Sequence, residues 1–293
     1  TVQRGKEIIL GSLVLIVYAK RGNFLYLPYG PLLDKSATYE DFKLFLKALK
    51  PFQKLYKANF VRISPLYPKS HLLADWLQKA GLIKAPMHMI AEDCWFLKLD
   101  QKPDQLFKQM RQNHRNLINK AKKLGVTIEK SQNIKDVKLL SDLLIETAKR
   151  HNFTPFSYNY LLQEFKAFKH HGARIYKAYY QGELVAASMH FFNGTHAVYK
   201  HGASSLKYPK IPASYLLQFQ AISDAYNEGF SYYNFWGIAP PNAKKHPFKG
   251  ITTFKKGFGG EHLQTIAAHD KILSYKYVIN FIVEVFRKIK RGF

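Results

Sequence analysis

Between residues 126 and 236 the sequence is punctuated in a way that leaves few topologies open. The turn dipeptides Gln181-Gly182 and Asn193-Gly194 cut one stretch into three strand-like runs, Arg174 to Tyr180, Leu184 to Phe192 and His196 to Ala203. Glycine-containing dipeptides of this kind close tight hairpins, so the three runs read as a meander. A strand, Val126 to Glu129, and two helical segments, Asn133 to Arg150 and Ser157 to Lys169, precede it. A helix, Ala213 to Glu228, stopped by Gly229, and a strand, Tyr232 to Trp236, follow it.

That order, strand, helix pair, meander, helix, strand, is the order of an acyltransferase fold of the GNAT (acyl-CoA N-acyltransferase) type. The first third reads as a partial version of the same unit. Ile8 to Ala19 and Asn23 to Leu27 form a hairpin about Arg21-Gly22-Asn23, Tyr39 to Lys50 is a helix ended or kinked by Pro51, Phe60 to Ile63 is a buried strand stopped by Pro65, and Lys69 to Ala80 is a helix closed by Gly81. At 293 residues the chain exceeds the roughly 250 at which single cores stop growing. The expectation is therefore an α/β protein of two GNAT-like domains. The first spans 1–91, is N-terminally incomplete and is completed by 268–293; the second spans 92–267.

Charge separates the possible roles. Forty-five Lys and Arg face 20 Asp and Glu, a formal +25, where a solubility surplus is about 2 to 8. Such an excess points to a polyanion, nucleic acid or an anionic membrane face. After Cys94 to Leu99, a strand, and Asp100, a candidate cap, one long helix is expected from Lys102 to Leu124. Its apolar stripe holds Phe107, Met110, His114, Leu117, Ile118 and Ala121, while Lys108, Arg111, Arg115, Asn119 and Lys122 share a polar sector without an acid. A solvated face normally interleaves Glu with Lys, so this stripe reads as built for phosphate, with a merely solvated face as the alternative.

Other chemistries find little support. Cys94 is the single cysteine, which excludes an internal disulfide and a cysteine-based metal site, and no metal or cofactor is expected. Neither GxSxG nor HExxH occurs, His114 reads as a satisfied core residue, and Cys94 as an inert buried thiol. The apolar run Ile8 to Ala19 is well short of the ~20 residues that span a bilayer and lacks a cleavage pattern, which favours a cytoplasmic protein. The stretch Lys244 to Gly260 carries five lysines and several glycines, without Walker spacing, and reads as a flexible basic loop. The Q/R-x-x-G-x-G/A pyrophosphate turn of acetyl-coenzyme A users is absent, and Pro209 and Pro212 remove amides such a cradle needs.

Several segments, in order, resemble the FemABX family of aminoacyl-tRNA-dependent transferases that build peptidoglycan cross-bridges. They are Tyr29-Gly30-Pro31 with Asp34; Val61-Arg62-Ile63; Met110 to Asn116 running into Lys120 to Val126; Tyr232 to Gly237; and Phe254-Lys255-Lys256-Gly257-Phe258-Gly259. The resemblance implies transfer of an amino acid from a charged tRNA to the stem-peptide amine of a nucleotide- or lipid-linked muropeptide, by a monomer without cofactor. It also implies Lys255 as the catalytic lysine, with Tyr160, Tyr199, Phe254, Lys256 and Arg62 as substrate contacts. Lys108, Arg111, Arg115 and Lys122 are assigned to tRNA phosphates by charge pattern. The sequence departs from the family at Phe156, where an arginine can grip the muropeptide, and at Ser64, where some members carry an acid, so no dedicated protein base is expected.

Two rival readings keep their place beside this one. The first is a GNAT-fold N-acyltransferase with an acyl-coenzyme A donor. The second is a non-catalytic protein that binds RNA or an anionic membrane. The C-terminal segment Ser274 to Arg291, with Val278, Ile282, Val285, Phe286 and Ile289 on one side and Arg287, Lys288, Lys290 and Arg291 at its end, is expected to pack on the first domain. Contact of its basic end with the anionic inner membrane leaflet is the alternative.

Overall fold

The computed structural model describes residues 1–151, 153–241, 243 and 246–291. The chain divides into two compact units: Thr1–Asp93, Ala239–Lys249 and Leu263–Phe293 in the first, Cys94–Ile238 and Gly250–His262 in the second. The segments 92–93, 239–249 and 263–267, expected in the second domain, group with the first.

In the first unit a five-stranded sheet runs in the order Leu15–Val17, Asn23–Tyr29, Ala58–Pro65, His269–Ile272, Ile83–Lys84. The hairpin turn forms, with Gly22 N–H donating to Ala19 O at 2.9 Å, but only Leu15–Val17 of its first arm pairs with Asn23–Tyr29. Glu7–Gly11 instead joins Val2–Arg4 and Leu32–Leu33 in a separate three-stranded sheet. Pro51 ends one helix, Tyr39–Ala48, and sits in the first turn of the next, Lys50–Tyr56, where its missing N–H costs nothing. Phe42, Phe45, Leu73 and Leu77 bury one sheet face together with Leu25, Leu27, Val61 and Ile63. Alternation sends Phe24, Tyr26 and Phe60 to the other face, against Tyr277.

Arg62 points to that same face and is 2% exposed. Its Nε and Nη2 donate to both carboxylate oxygens of Asp270 at 2.8 Å, and Nη2 also donates to Glu284 Oε2 at 2.8 Å. Tyr277 adds its hydroxyl to Asp270 at 2.7 Å, and the Phe24 and Phe60 rings stack on the guanidinium. A buried arginine must be matched by carboxylates, and here one comes from a strand and the other from the C-terminal helix Tyr277–Arg291. That helix packs on the first unit as expected, yet through its polar residues Asn280 and Glu284, 2% and 8% exposed, rather than the anticipated apolar side.

In the second unit a seven-stranded sheet runs Glu261–Gln264, Asp93–Lys98, Tyr232–Gly237, His196–Ser204, Glu183–Asn193, Ala173–Tyr180, Thr127–Ser131. One face is covered by helix Ala213–Asn227 with Ile118 and Ala121, the other by helices Asp136–His151 and Tyr158–Phe168, whose Leu140, Leu161 and Phe165 meet Ile175, Ala187 and Met189. Ser157 caps the last of these helices through a side-chain bond to Tyr160 N–H. Among the described residues no helix is long and apolar enough to cross a membrane.

The single helix expected from Lys102 to Leu124 is two. Pro103–Gln109 and Gln112–Lys123 are separated at Met110 and Arg111, both with extended ψ of 153° and 141°. The first helix starts at Pro103 behind Lys102, so Asp100 is not its cap. Two competing bonds account for the break. Arg111 N–H leaves the helical ladder for Gly257 O at 2.9 Å, and the Arg115 guanidinium reaches back to the carbonyls of Lys108 and Met110, taking up acceptors that a helix end leaves open.

Removing one partner of the buried arginine should be costly, because the other charges remain dry. Asp270→Asn is expected to lower unfolding free energy by about 3–5 kcal/mol in urea denaturation, with exposed Lys35→Ala as a control near zero.

Candidate active site

The strands His196–Ser204 and Tyr232–Gly237 are parallel neighbours, paired only through His196↔Tyr232, Ala197↔Tyr233 and Val198↔Asn234. Both continue past the last pair, so they part like a fork. Each is irregular at that point. On the first, His190↔Tyr199 is followed by Met189↔His201, which leaves Lys200 as the extra residue of a bulge. On the second, pairing with Asp93–Lys98 skips from Asn234 to Gly237, and Trp236 takes φ 65° with its N–H on Asn234 Oδ1 at 2.7 Å. A left-handed tryptophan costs about 1–2 kcal/mol, and bulged, strained backbone of this kind concentrates at functional sites.

Lys255 bridges the fork. It lies on helix Lys249–Lys256, so the expected basic loop is helical over these residues; Lys244 and Lys245 lie outside the described residues. The ammonium is 5% exposed, donates to Gly237 O at 2.6 Å and sits 5.8 Å from the Tyr199 ring centroid. No carboxylate pairs with it among the described residues. Burial without a counter-ion disfavours the charged form and pulls this lysine down to about 7. Such a group holds or releases a proton near neutrality and can meet a developing negative charge without prior desolvation.

Three neighbours set the lysine's position. His114, 3% exposed, donates from Nε2 to Phe254 O at 2.8 Å, and its Nδ1 has no partner. The ring is therefore half satisfied rather than the satisfied core histidine expected, and burial holds it neutral. Gly257 lies so close that a Cβ there would stand 1.8 Å from His114 Cε1, while its carbonyl accepts the Arg111 N–H. Phe254 packs with Tyr215, Phe258 and His114, so this expected substrate contact is engaged in holding the helix. Tyr199 is buried with its hydroxyl pushed up to about 12, and Gly202 provides the room for that hydroxyl, since a Cβ would lie 2.0 Å from it.

Beyond the fork the bulge brings a second set together. Lys200 Nζ lies 3.8 Å from the Trp236 ring centroid and 4.0 Å from Glu164, and burial lowers its pKa. Glu164 also meets His201 Nε2 at 2.6 Å. One turn earlier on the same helix is Tyr160, half-open to solvent and stacked on Phe156 at 4.6 Å, with Phe156 edge-on to His201. Tyr160 thus joins the Lys200–Glu164–His201 group on the side of the sheet covered by helix Tyr158–Phe168, whereas Lys255 and Tyr199 lie with the cluster on the other side. Lys200 and Glu164 do not stand out in the sequence, His201 is there one undecided strand histidine, and Trp236 enters only within the Tyr232 to Gly237 segment, because a bulge cannot be read from residue types.

The other expected residues divide. Arg111, Lys108 and Lys122 are exposed and carry no carboxylate partner among the described residues, with Lys122 over the Phe219 ring at 5.4 Å. The helix break removes Lys108 from the common stripe, and Arg115 is partly committed to backbone carbonyls. Lys256 lies over Trp95 at 5.0 Å. Arg62 is not available to substrate, since Asp270, Glu284 and two aromatic rings enclose it.

The proton equilibrium of Lys255 carries a stability signature. Its pKa is depressed on folding from 10.5 to about 7, so unfolding takes up a proton between these values and the folded state gains stability as pH rises through that window. Lys255→Met is expected to be more stable than wild type by a few kcal/mol at pH 6, with the difference shrinking towards pH 10 in thermal melts. Gly257→Ala should lose about 1–3 kcal/mol or more to overpacking against His114.

Over 82 residues the chain is 29% identical to aminoacyltransferase FemA of Staphylococcus aureus, a match covering 28% of this chain and 20% of that protein. The chain's match thus spans about a fifth of the length of the curated relatives. The crystal structure of FemX superposes with a TM-score of 0.82 at 17% identity, covering 97% of this chain and 89% of that one. A tandem GNAT protein from the clavulanic acid biosynthesis pathway gives 0.56 at 11% identity, covering 92% and 81%. The fold is therefore one of two GNAT-like domains. The model of the FemAB family matches residues 86–183 and 170–278, about two thirds of the chain, and the protein belongs to that family.

Proposed function

We propose that this protein is an aminoacyltransferase that moves an amino acid from aminoacyl-tRNA to the stem-peptide amine of a peptidoglycan precursor. The observation that carries the reading is the dry Lys255 ammonium in the strand fork, next to strained backbone and without a counter-ion among the described residues. Family membership and the partial match to an aminoacyltransferase support it.

The reaction is aminolysis of an activated ester. The amine lone pair attacks the ester carbonyl carbon, a C–N bond forms, and the C–O bond to the tRNA ribose breaks. The proton lost by nitrogen balances the one gained by the ribose oxygen, so no net acid or base is required. What the protein contributes is alignment and stabilisation of the tetrahedral oxyanion. Lys255 Nζ has one proton committed to Gly237 O and others free for that oxyanion. Tyr160 and Lys200, joined through Glu164 and His201, would orient substrate beyond the fork, while Arg111, Lys108 and Lys122, without a carboxylate partner among the described residues, offer cations to phosphates. A cytoplasmic monomer, with a nucleotide- or lipid-linked acceptor, belongs to the same reading.

The test is mass spectrometry of muropeptide acceptors incubated with a pool of charged tRNAs. An added residue mass is expected with wild type, falling at least about 100-fold in kcat with Lys255→Ala. Arg111→Glu with Lys122→Glu should raise KM for tRNA and flatten its salt dependence by about one to two ions released. Turnover with acyl-coenzyme A and indifference to tRNA would overturn the donor assignment, and salt-sensitive RNA binding without turnover would overturn catalysis.

A further inference from the structure

The C-terminal helix Tyr277–Arg291 is docked the opposite way to most amphipathic helices. Its buried residues are Tyr277, Asn280 and Glu284, held by the ion cluster of Arg62 and by Arg21, which meets Asn280 on both sides of its amide. Its apolar residues face out: Val278, Ile279, Ile282, Phe286 and Ile289 are 56%, 56%, 47%, 68% and 72% exposed. At about 100° per residue these and Phe281 share a sector about 160° wide. An outward apolar face of this extent on a packed helix marks an interaction surface.

Charge decides between occupants. The helix contains one acid, Glu284, and it is spent on Arg62. Lys288 lies along one border of the apolar sector and Lys290 along the other, with Lys276 and Arg287 further round. Long cationic side chains flanking an apolar face are placed to reach headgroup phosphates while the face enters the acyl boundary. A neighbouring turn adds Tyr18, 71% exposed, and Lys20, next to the Arg21 that holds Asn280. A second copy would bring like charge to like charge in a chain of net +25, whereas a bilayer containing anionic lipid satisfies both features. With 15 residues the helix is about 22 Å long, too short to cross a bilayer, so it would lie in the plane of the surface.

We infer that the outward face of helix Tyr277–Arg291 is an interfacial membrane anchor, selective for anionic phospholipid. The inference rests on the geometry of the first unit and is independent of the transfer reading.

The experiment is sedimentation of the full chain with phosphatidylglycerol/phosphatidylcholine vesicles and with pure phosphatidylcholine vesicles, at low and high salt. Wild type is expected to bind the first kind, weakly at high salt, and the second at least about tenfold less. Ile282→Glu with Ile289→Glu, and separately Lys288→Glu with Lys290→Glu, should each weaken binding about tenfold or more with unchanged circular dichroism. Because these positions are exposed, folding should survive; should it not, Phe286→Trp serves instead, its emission moving to shorter wavelength only with the anionic vesicles. Failure of wild type to sediment with anionic vesicles, or an unmoved Trp emission, overturns the inference. Wild-type binding by the Ile pair variant reduces the effect to surface charge and overturns it too. A lipid-free dimer that the Ile pair variant splits, seen by light scattering, assigns the face to a second copy instead.

Discussion

A lysine kept dry with one backbone carbonyl as its partner is the constraint around which the second unit is organised. Placing Lys255 beside Gly237 O and Tyr199, without a carboxylate among the described residues, forgoes the ready solution of an ion pair. The fold has to hold it by other means, and the supports can be named. Helix Lys249–Lys256 is tied at its end by Arg111 N–H and the His114 ring, which is only possible because the chain breaks its helix at Met110 and Arg111 and because residue 257 has no side chain. A local cost in helix continuity is exchanged for orientation of a charged group.

The first unit meets the same problem with the opposite solution. Arg62 is as buried as Lys255 but is matched by Asp270 and Glu284, so its charge is neutralised and fixed. The pairing dictates which side of the C-terminal helix faces inward. An arginine in the core demands acids, the helix supplies Glu284 from its polar face, and the apolar residues are left outside. The ordinary rule, that the apolar stripe of a helix is its buried one, is overruled by the desolvation cost of one guanidinium.

Much of this architecture was legible in residue order. The Gln181-Gly182 and Asn193-Gly194 turns, Pro51 as the end of a helix and Gly229 as a stop all act locally, through φ preferences and missing hydrogen bonds, and the structure follows them. The unbroken Lys102 to Leu124 helix did not survive because periodicity registers which side is apolar, not whether a carbonyl far along the chain competes for one amide. Lys255 stood out by resemblance, but its burial did not, since a lysine in a glycine-rich basic stretch looks solvated until a helix carries it inward. The meeting of Lys200 with Trp236 was invisible for a similar reason. Their proximity depends on two strands parting after three paired residues and on a bulge in each.

Sequence alone determined the alternation of strands and helices, the large positive charge and the absence of a disulfide, because these follow from local conformational preference and from counting. Tertiary structure decided which cations are free and which are consumed: Arg62 and part of Arg115 turn inward to carboxylates and carbonyls, Arg111 and Lys122 remain open, and Lys255 is stripped of water. The physical reason is that a charge acquires its character from the dielectric and the partners around it, and both are assembled from segments distant in the chain.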